Sequence, residues 1–139
     1  MPYGICTLNI IPCRAEPANT SEMVTQLLFG DTYTVLEVQE EWIKIQIFYD
    51  KYECWINRKQ HHSLNESGFN ALNKNNQFVN ADLVQVIKDS ASKTNSIITI
   101  GASLPFYSEN IVIVENQNYT FDGSVVDSNK RKSNSELIQ

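Results

Sequence analysis

Residues 42–48 read Trp-Ile-Lys-Ile-Gln-Ile-Phe, with Ile43, Ile45 and Ile47 alternating strictly with Lys44 and Gln46. Period two belongs to an extended strand with one buried face, because successive strand side chains point to opposite sides of a sheet. Four neighbouring segments share that character. Gly4 to Arg14 is rich in Ile, Leu and Thr and is bent or ended by Pro12, and Met23 to Phe29 is stopped by Gly30-Asp31. Thr32 to Val38 is dense in Thr, Tyr and Val, and Cys54 to Asn57 is short. Between them lie the Pro- and Ser-containing loop Ala15 to Ser21, the polar turn Glu40-Glu41 and the loop Tyr49 to Glu53. Strands at spacings of roughly 8–12 residues predict a small antiparallel barrel or sandwich.

The texture changes after residue 60. Asn65 to Leu72 reads as a short helix, and Leu83, Val84, Val86 and Ile87 form one stripe of a helix over Ala81–Lys88 with Asn80 as its N-cap. Strands are expected at Ile97–Ile100, Ile111–Glu115 and Tyr119–Val126, the last two joined by a hairpin loop at Asn116-Gln117-Asn118. The boundaries drawn are 1–59, 60–126 and a polar tail at 127–139, whose Ser135 to Gln139 resembles the first turn of a helix that does not continue. The chain therefore reads as a portion of a longer protein.

Residues 1–59 carry 5 basic and 8 acidic side chains and residues 60–139 carry 6 and 8, for a net charge of −5. Neither half supplies the basic field that binding to nucleic acid requires, and Lys130-Arg131-Lys132 is a short cluster in the polar tail. No apolar run approaches the roughly 20 residues of a membrane helix. Met1 to Ile5 show no basic and apolar leader, so a cytoplasmic location is expected, with Cys6, Cys13 and Cys54 as reduced thiols.

Catalytic candidates are few. Cys6 and Cys13 are seven residues apart in one strand-like stretch, hence on opposite faces if pairing is regular, and Cys54 precedes Trp55. None opens a helix, where a thiolate would be stabilised, so all three read as small apolar packing residues. His61 and His62 are adjacent and point apart in any regular backbone, a poor metal pair that reads as a solvated linker. The five glycines are isolated, so no phosphate loop is present. Neither a cofactor nor a metal is expected. Binding remains: Trp42 and Trp55 read as packing residues, Tyr49 and Tyr52 as exposed members of a polar loop, and Glu22 as a carboxylate able to receive an ammonium group.

The order Arg14-Ala15-Glu16-Pro17, Ser21-Glu22-Met23-Val24, Leu27-Leu28-Phe29-Gly30-Asp31, Glu41-Trp42-Ile43-Lys44-Ile45 and Tyr52-Glu53-Cys54-Trp55-Ile56 resembles the N-terminal bacterial SH3 module of NlpC-family cell-wall peptidases. Those enzymes are gamma-D-glutamyl-L-diamino acid endopeptidases. The resemblance is strong over residues 4–60 and continues more weakly through Gly101 to Tyr107 and Tyr119 to Gly123, which look like a second SH3-like module. It implies a mainly β fold of two small SH3-like antiparallel barrels, the second with one or two short helices in its lead-in. The family's nucleophile lies in an Asp-Cys-Ser-Gly-type motif of a papain-like domain. Here Cys6, Cys13 and Cys54 are followed by Thr7, Arg14 and Trp55, so the chain is expected to be non-catalytic and to work with such a domain in cis.

In that family the first SH3 module walls one side of the cleft, and a Glu and a Tyr recognise the free amine of the peptide's N-terminal L-Ala. By motif position these are Glu22, with Glu16 as second choice, and Tyr52; Cys54 stands where the family has Gly. The resemblance thus implies a substrate-gating and targeting region for murein peptides. The alternatives are a stand-alone cell-wall or peptide-binding adaptor and, more remotely, an SH3 adaptor for Pro-rich ligands, for which the first loop offers only Glu16 and Glu22 as acids.

Overall fold

In the computed structural model, which describes residues 2–75, 78–114 and 117–127, the alternating segment is a strand over Trp42–Ile47. Its three isoleucines are at most 3% exposed. The chain divides into two compact units, Met1–Asn73 and Lys74–Gln139. The first holds β1 (Tyr3–Ile5), β2 (Ile10–Arg14), β3 (Met23–Leu28), β4 (Thr32–Val38), β5 (Trp42–Ile47), β6 (Glu53–Asn57), a 3-10 turn (Arg58–Gln60), β7 (Ser63–Leu64) and most of α1 (Glu66–Asn75). Residues 61–73 thus fall within the first unit, where β7 pairs with β1.

The seven strands form one antiparallel sheet in the order β3-β2-β6-β5-β4-β1-β7. No pairing joins its outer strands among the described residues, so in place of a closed barrel the first unit holds an open antiparallel sheet. Its inner face collects Ile11, Leu27, Tyr33, Ile45 and Ile56, each fully buried. Helix α1 begins where Asn65 Oδ1 accepts the Gly68 N–H, an N-cap bond. Phe69 and Leu72, three apart on one face, are its buried residues. Phe69 stacks on Tyr3 with ring centroids 4.3 Å apart and meets Phe48 edge-on.

The stretch expected as one strand over Gly4 to Arg14 is two. Cys6 leaves the ladder to bond the Gly30-Asp31 turn: its N–H donates to Asp31 O and its carbonyl accepts from the Gly30 N–H. That break resets the alternation. Cys6 and Cys13 therefore enter the same core together with Cys54, rather than opposite faces. Nor does Pro12 end the strand. It sits inside β2 opposite Gln26, with a bulge just beyond it between Cys13 and Arg14.

The second unit holds β8 (Phe78–Asn80), β9 (Val84–Asp89), β10 (Asn95–Thr99), β11 (Ile111–Val114), β12 (Gln117–Phe121) and β13 (Val125–Asp127). An antiparallel sheet runs β10-β9-β12-β11, and β13 pairs separately with β8. Ile87, Ile98, Leu104, Val112 and Phe121 form its buried interior. The expected helix over Ala81–Lys88 is instead strand β9, bonded to β10 on one side and β12 on the other. Asn80 is no helix cap. Fully buried, it accepts the Asp82 N–H and donates to the carbonyls of Asp82 and Thr99, tying the turn before β9 to the end of β10.

Tyr119–Val126 likewise splits into β12 and β13. Val114 lies opposite Gln117, so Gln117 and Asn118 belong to β12 rather than to a loop; Asn116 and the tail from residue 128, with Ser135 to Gln139, lie outside the described residues. Asp82 closes the far side of this unit, accepting from the Ser124 N–H and from Gln85 Nε2, bonds that hold its carboxyl below the usual range.

Candidate functional site

Strand direction decides where the candidate residues lie. β2 and β6 are antiparallel with Arg14 opposite Trp55, so the chain leaves β2 into the 15–22 loop at the end where it enters β6 from Tyr52. Glu16, Glu22 and Tyr52 therefore share one end of the sheet, and all three are exposed.

The loop carrying the two carboxylates is tied at both neck and tip. Ala15 N–H donates to Glu22 O, Glu16 N–H to Ser21 Oγ, and the Arg14 guanidinium to Ser21 O. A loop that supplies its own bonds loses less entropy when it meets a ligand. Tyr52 is fixed through its backbone: its N–H donates to Asp50 Oδ1 and its carbonyl accepts from the Ile47 N–H. Lys51, just before it, takes a left-handed conformation (φ 62°) and holds its ammonium over the Phe48 ring, 4.4 Å from the centroid. Tyr49 stands 85% exposed on the same connection.

On the outer side of β2, β6 and β5 the alternation places Pro12 and Arg14, Trp55 and Asn57, and Trp42 and Lys44. Both tryptophans are 8% exposed, in keeping with packing. Beside Trp42 lies a cavity of about 340 Å³ lined also by Pro12, Arg14, Asn19, Asn57, Lys59 and Gln60. No motif announces it, because its walls come from four separate segments.

The three thiols are not placed for nucleophilic chemistry. Burial pushes Cys6 up to about 12, with its Sγ–H directed to Leu8 O. Cys13 is raised as well, by a hydrogen bond with Cys54 and then by burial. A thiol held protonated in apolar surroundings is a poor nucleophile. Cys54, at the position given to Gly in the resembled family, turns its side chain into the core.

The two histidines are half-buried rather than a solvated linker. His61 Nδ1 and Tyr33 Oη are hydrogen-bonded at 2.8 Å, and the His62 carbonyl accepts the Ile5 N–H. No group of three or more metal-ligating side chains occurs among the described residues. Burial, helped by the neighbouring His62, holds His61 below its ordinary 6.5. A lowered folded-state value means the unfolded chain binds the proton more readily, so this stability is complete above pH 6.5 and is lost as pH falls through it. We expect the melting temperature followed by tryptophan fluorescence to fall between pH 7.5 and 5.5, and His61→Gln to flatten that slope. An unchanged slope in the variant would contradict the assignment.

Residues 13–60 match a family described as the bacterial dipeptidyl-peptidase Sh3 domain. Among solved structures, an NlpC/P60 family protein from Bacillus cereus ATCC 10987 superposes with a TM-score of 0.69 at 16% identity, over 91% of this chain and 57% of that one. The fold is thus shared across nearly the whole chain, which spans little more than half the length of that neighbour. No curated protein matches the sequence. From the end of β2 through the Arg58–Gln60 turn, residues 13–60 are thus similar to the bacterial SH3 domain of the dipeptidyl-peptidase type.

Proposed function

We propose that this chain is a non-catalytic substrate-gating and targeting region of a cytoplasmic murein-peptide endopeptidase, recognising the free amino terminus of cell-wall peptides. Glu22 and Tyr52 receive the ammonium of an N-terminal L-Ala, with Glu16 as the alternative carboxylate, and the peptide bond is cut by a papain-like domain in cis. The observation carrying this reading is the shared end of the sheet on which all three residues stand, beside a loop already organised by its own hydrogen bonds. An ammonium accepts no hydrogen bonds and donates three, so a carboxylate with an aromatic neighbour is a suitable receptor.

Two features support a partner domain. The core thiols leave no activated nucleophile among the described residues. In the second unit, Leu83, Val84, Val86 and Ile97 remain exposed on and beside β9 and β10, an apolar area of the kind that partners cover.

An exposed carboxylate gains little from one ion pair in water, about 0.2–1 kcal/mol. The chain alone should therefore bind L-Ala-gamma-D-Glu-diamino-acid peptide with millimolar Kd, up to about fivefold tighter than the N-acetylated peptide. Glu22→Gln should erase that difference. Calorimetric titration of both peptides into both proteins checks this. Equal affinity for the two peptides, or hydrolysis by this chain that survives replacement of its three cysteines, would overturn the reading. Tight retention on whole peptidoglycan would point instead to a stand-alone wall-binding adaptor.

A further inference from the structure

The cavity beside Trp42 has a chemical character opposite to that of the chain around it. Residues 1–59 carry eight carboxylates and five cations. Two of those cations, Arg14 and Lys59, line the cavity, and none of the carboxylates does. Neither cation is paired with a carboxylate among the described residues. The remaining wall is three amides, Asn19, Asn57 and Gln60, with Pro12 and the Trp42 ring as its apolar part.

The sheet itself makes the space. β2 meets β6 at one register position, Arg14 opposite Trp55. Pro12, two residues back, has no N–H with which to extend that ladder toward Asn57. β5 continues alongside β6, with Trp42 opposite Asn57. Two walls are positioned before any ligand arrives. Arg14 is steadied by its bond to Ser21 O, and Asn57 Oδ1 accepts the Lys59 N–H at 2.9 Å, which leaves the Asn57 NH2 group as its donor toward a ligand.

We propose that this cavity is a binding site for a small organic carboxylate, distinct from the amine site. The carboxylate sits between the Arg14 guanidinium and the Lys59 ammonium, with the amides donating to its oxygens and the ligand's apolar part on Trp42 and Pro12. Charge-assisted bonds from Arg and Lys favour a carboxylate over its neutral amide, and the volume lies at the small-ligand end of pocket sizes, about 300–1,000 Å³. The site does not depend on the amine reading, since Glu16, Glu22 and Tyr52 are not among its lining residues.

The test titrates the full chain with N-acetyl-leucine and with N-acetyl-leucinamide, following Trp42 by its indole N–H resonance. A third arm uses glucuronate, to separate a peptide's terminal carboxylate from a sugar acid. The carboxylate form should bind about tenfold more tightly than the amide and shift the Trp42 resonance more than that of Trp55. Arg14→Gln and Lys59→Gln should each remove most of that preference, while Glu22→Gln leaves it intact. Lys59 is exposed, so its variant keeps the fold if Arg14→Gln does not. No saturable shift with N-acetyl-leucine or glucuronate, equal binding of N-acetyl-leucine and its amide, or a preference unchanged in Lys59→Gln would overturn the proposal.

Discussion

Gly4→Ala should lower the melting temperature of the first unit sharply. Gly4 lies opposite Tyr33 in the β1–β4 ladder, and a methyl group built on it would overlap the tyrosine ring and stand 2.6 Å from its Oη. The ring has nowhere to go: Tyr33 is fully buried in the core and its hydroxyl is bonded to His61. Overpacking a tight core typically costs about 1–3 kcal/mol, and this site belongs at the upper end. For a unit of this size that is a fall of about 15 °C in melting temperature. Trp42 and Trp55 are the chain's two tryptophans and both belong to this unit, so fluorescence follows its unfolding selectively. The same substitution in a Tyr33→Leu background should cost much less, because the two residues are coupled by contact. A melting temperature unchanged by Gly4→Ala would mean that β1 and β4 are not packed as described.

The second large effect is at Asn80. Removing its side chain with Asn80→Ala leaves the part-buried Asp82 N–H without its acceptor and the Thr99 carbonyl with the Ala102 N–H as its remaining donor. Stranding a buried polar group costs about 1–3 kcal/mol, so a net loss of about 2 kcal/mol is expected. A small unit has only a few kcal/mol to lose. Hydrogen exchange at the buried Ile87 and Ile98 should accelerate about thirtyfold. Unaltered exchange there would show that Asn80 does not hold β9 to β10.

Asn80 also shows what could be read from the sequence and what could not. Its tendency to bond the backbone two residues on was visible, and it does so. An Asn at a helix start and an Asn at a turn before a strand use the same local bond, and only the chain beyond distinguishes them. Leu83, Val84, Val86 and Ile87 fit a helical stripe, yet three of the four are exposed and only Ile87 is buried. What makes this segment a strand is its pairing with β10 and β12, partners distant in sequence. β5 was legible for the opposite reason, because every isoleucine of its alternating set reports burial by itself. The cysteines fall between these cases. Their packing role followed from residue type, but their shared core required knowing that Cys6 leaves the ladder to bond the Gly30-Asp31 turn.

Of the candidate site, Glu22, Tyr52 and Glu16 came from motif order, and the strand register groups them at one sheet end. The cavity had no such signal. Arg14 and Lys59 are far apart along the chain, and nothing in the sequence links the two. Only the antiparallel return of β6 against β2, with Pro12 unable to extend the ladder, brings their segments to one place.

Amide chemical-shift mapping of the full chain with L-Ala-gamma-D-Glu-diamino-acid peptide, before and after acetylation of the alanine nitrogen, tests the proposed gating role most directly. Concentration-dependent shifts are expected along residues 15–23 and at Tyr52 and Glu53 with the free amine, and they should vanish on acetylation. Identical maps for the two peptides, or shifts that leave both loops untouched, would contradict it.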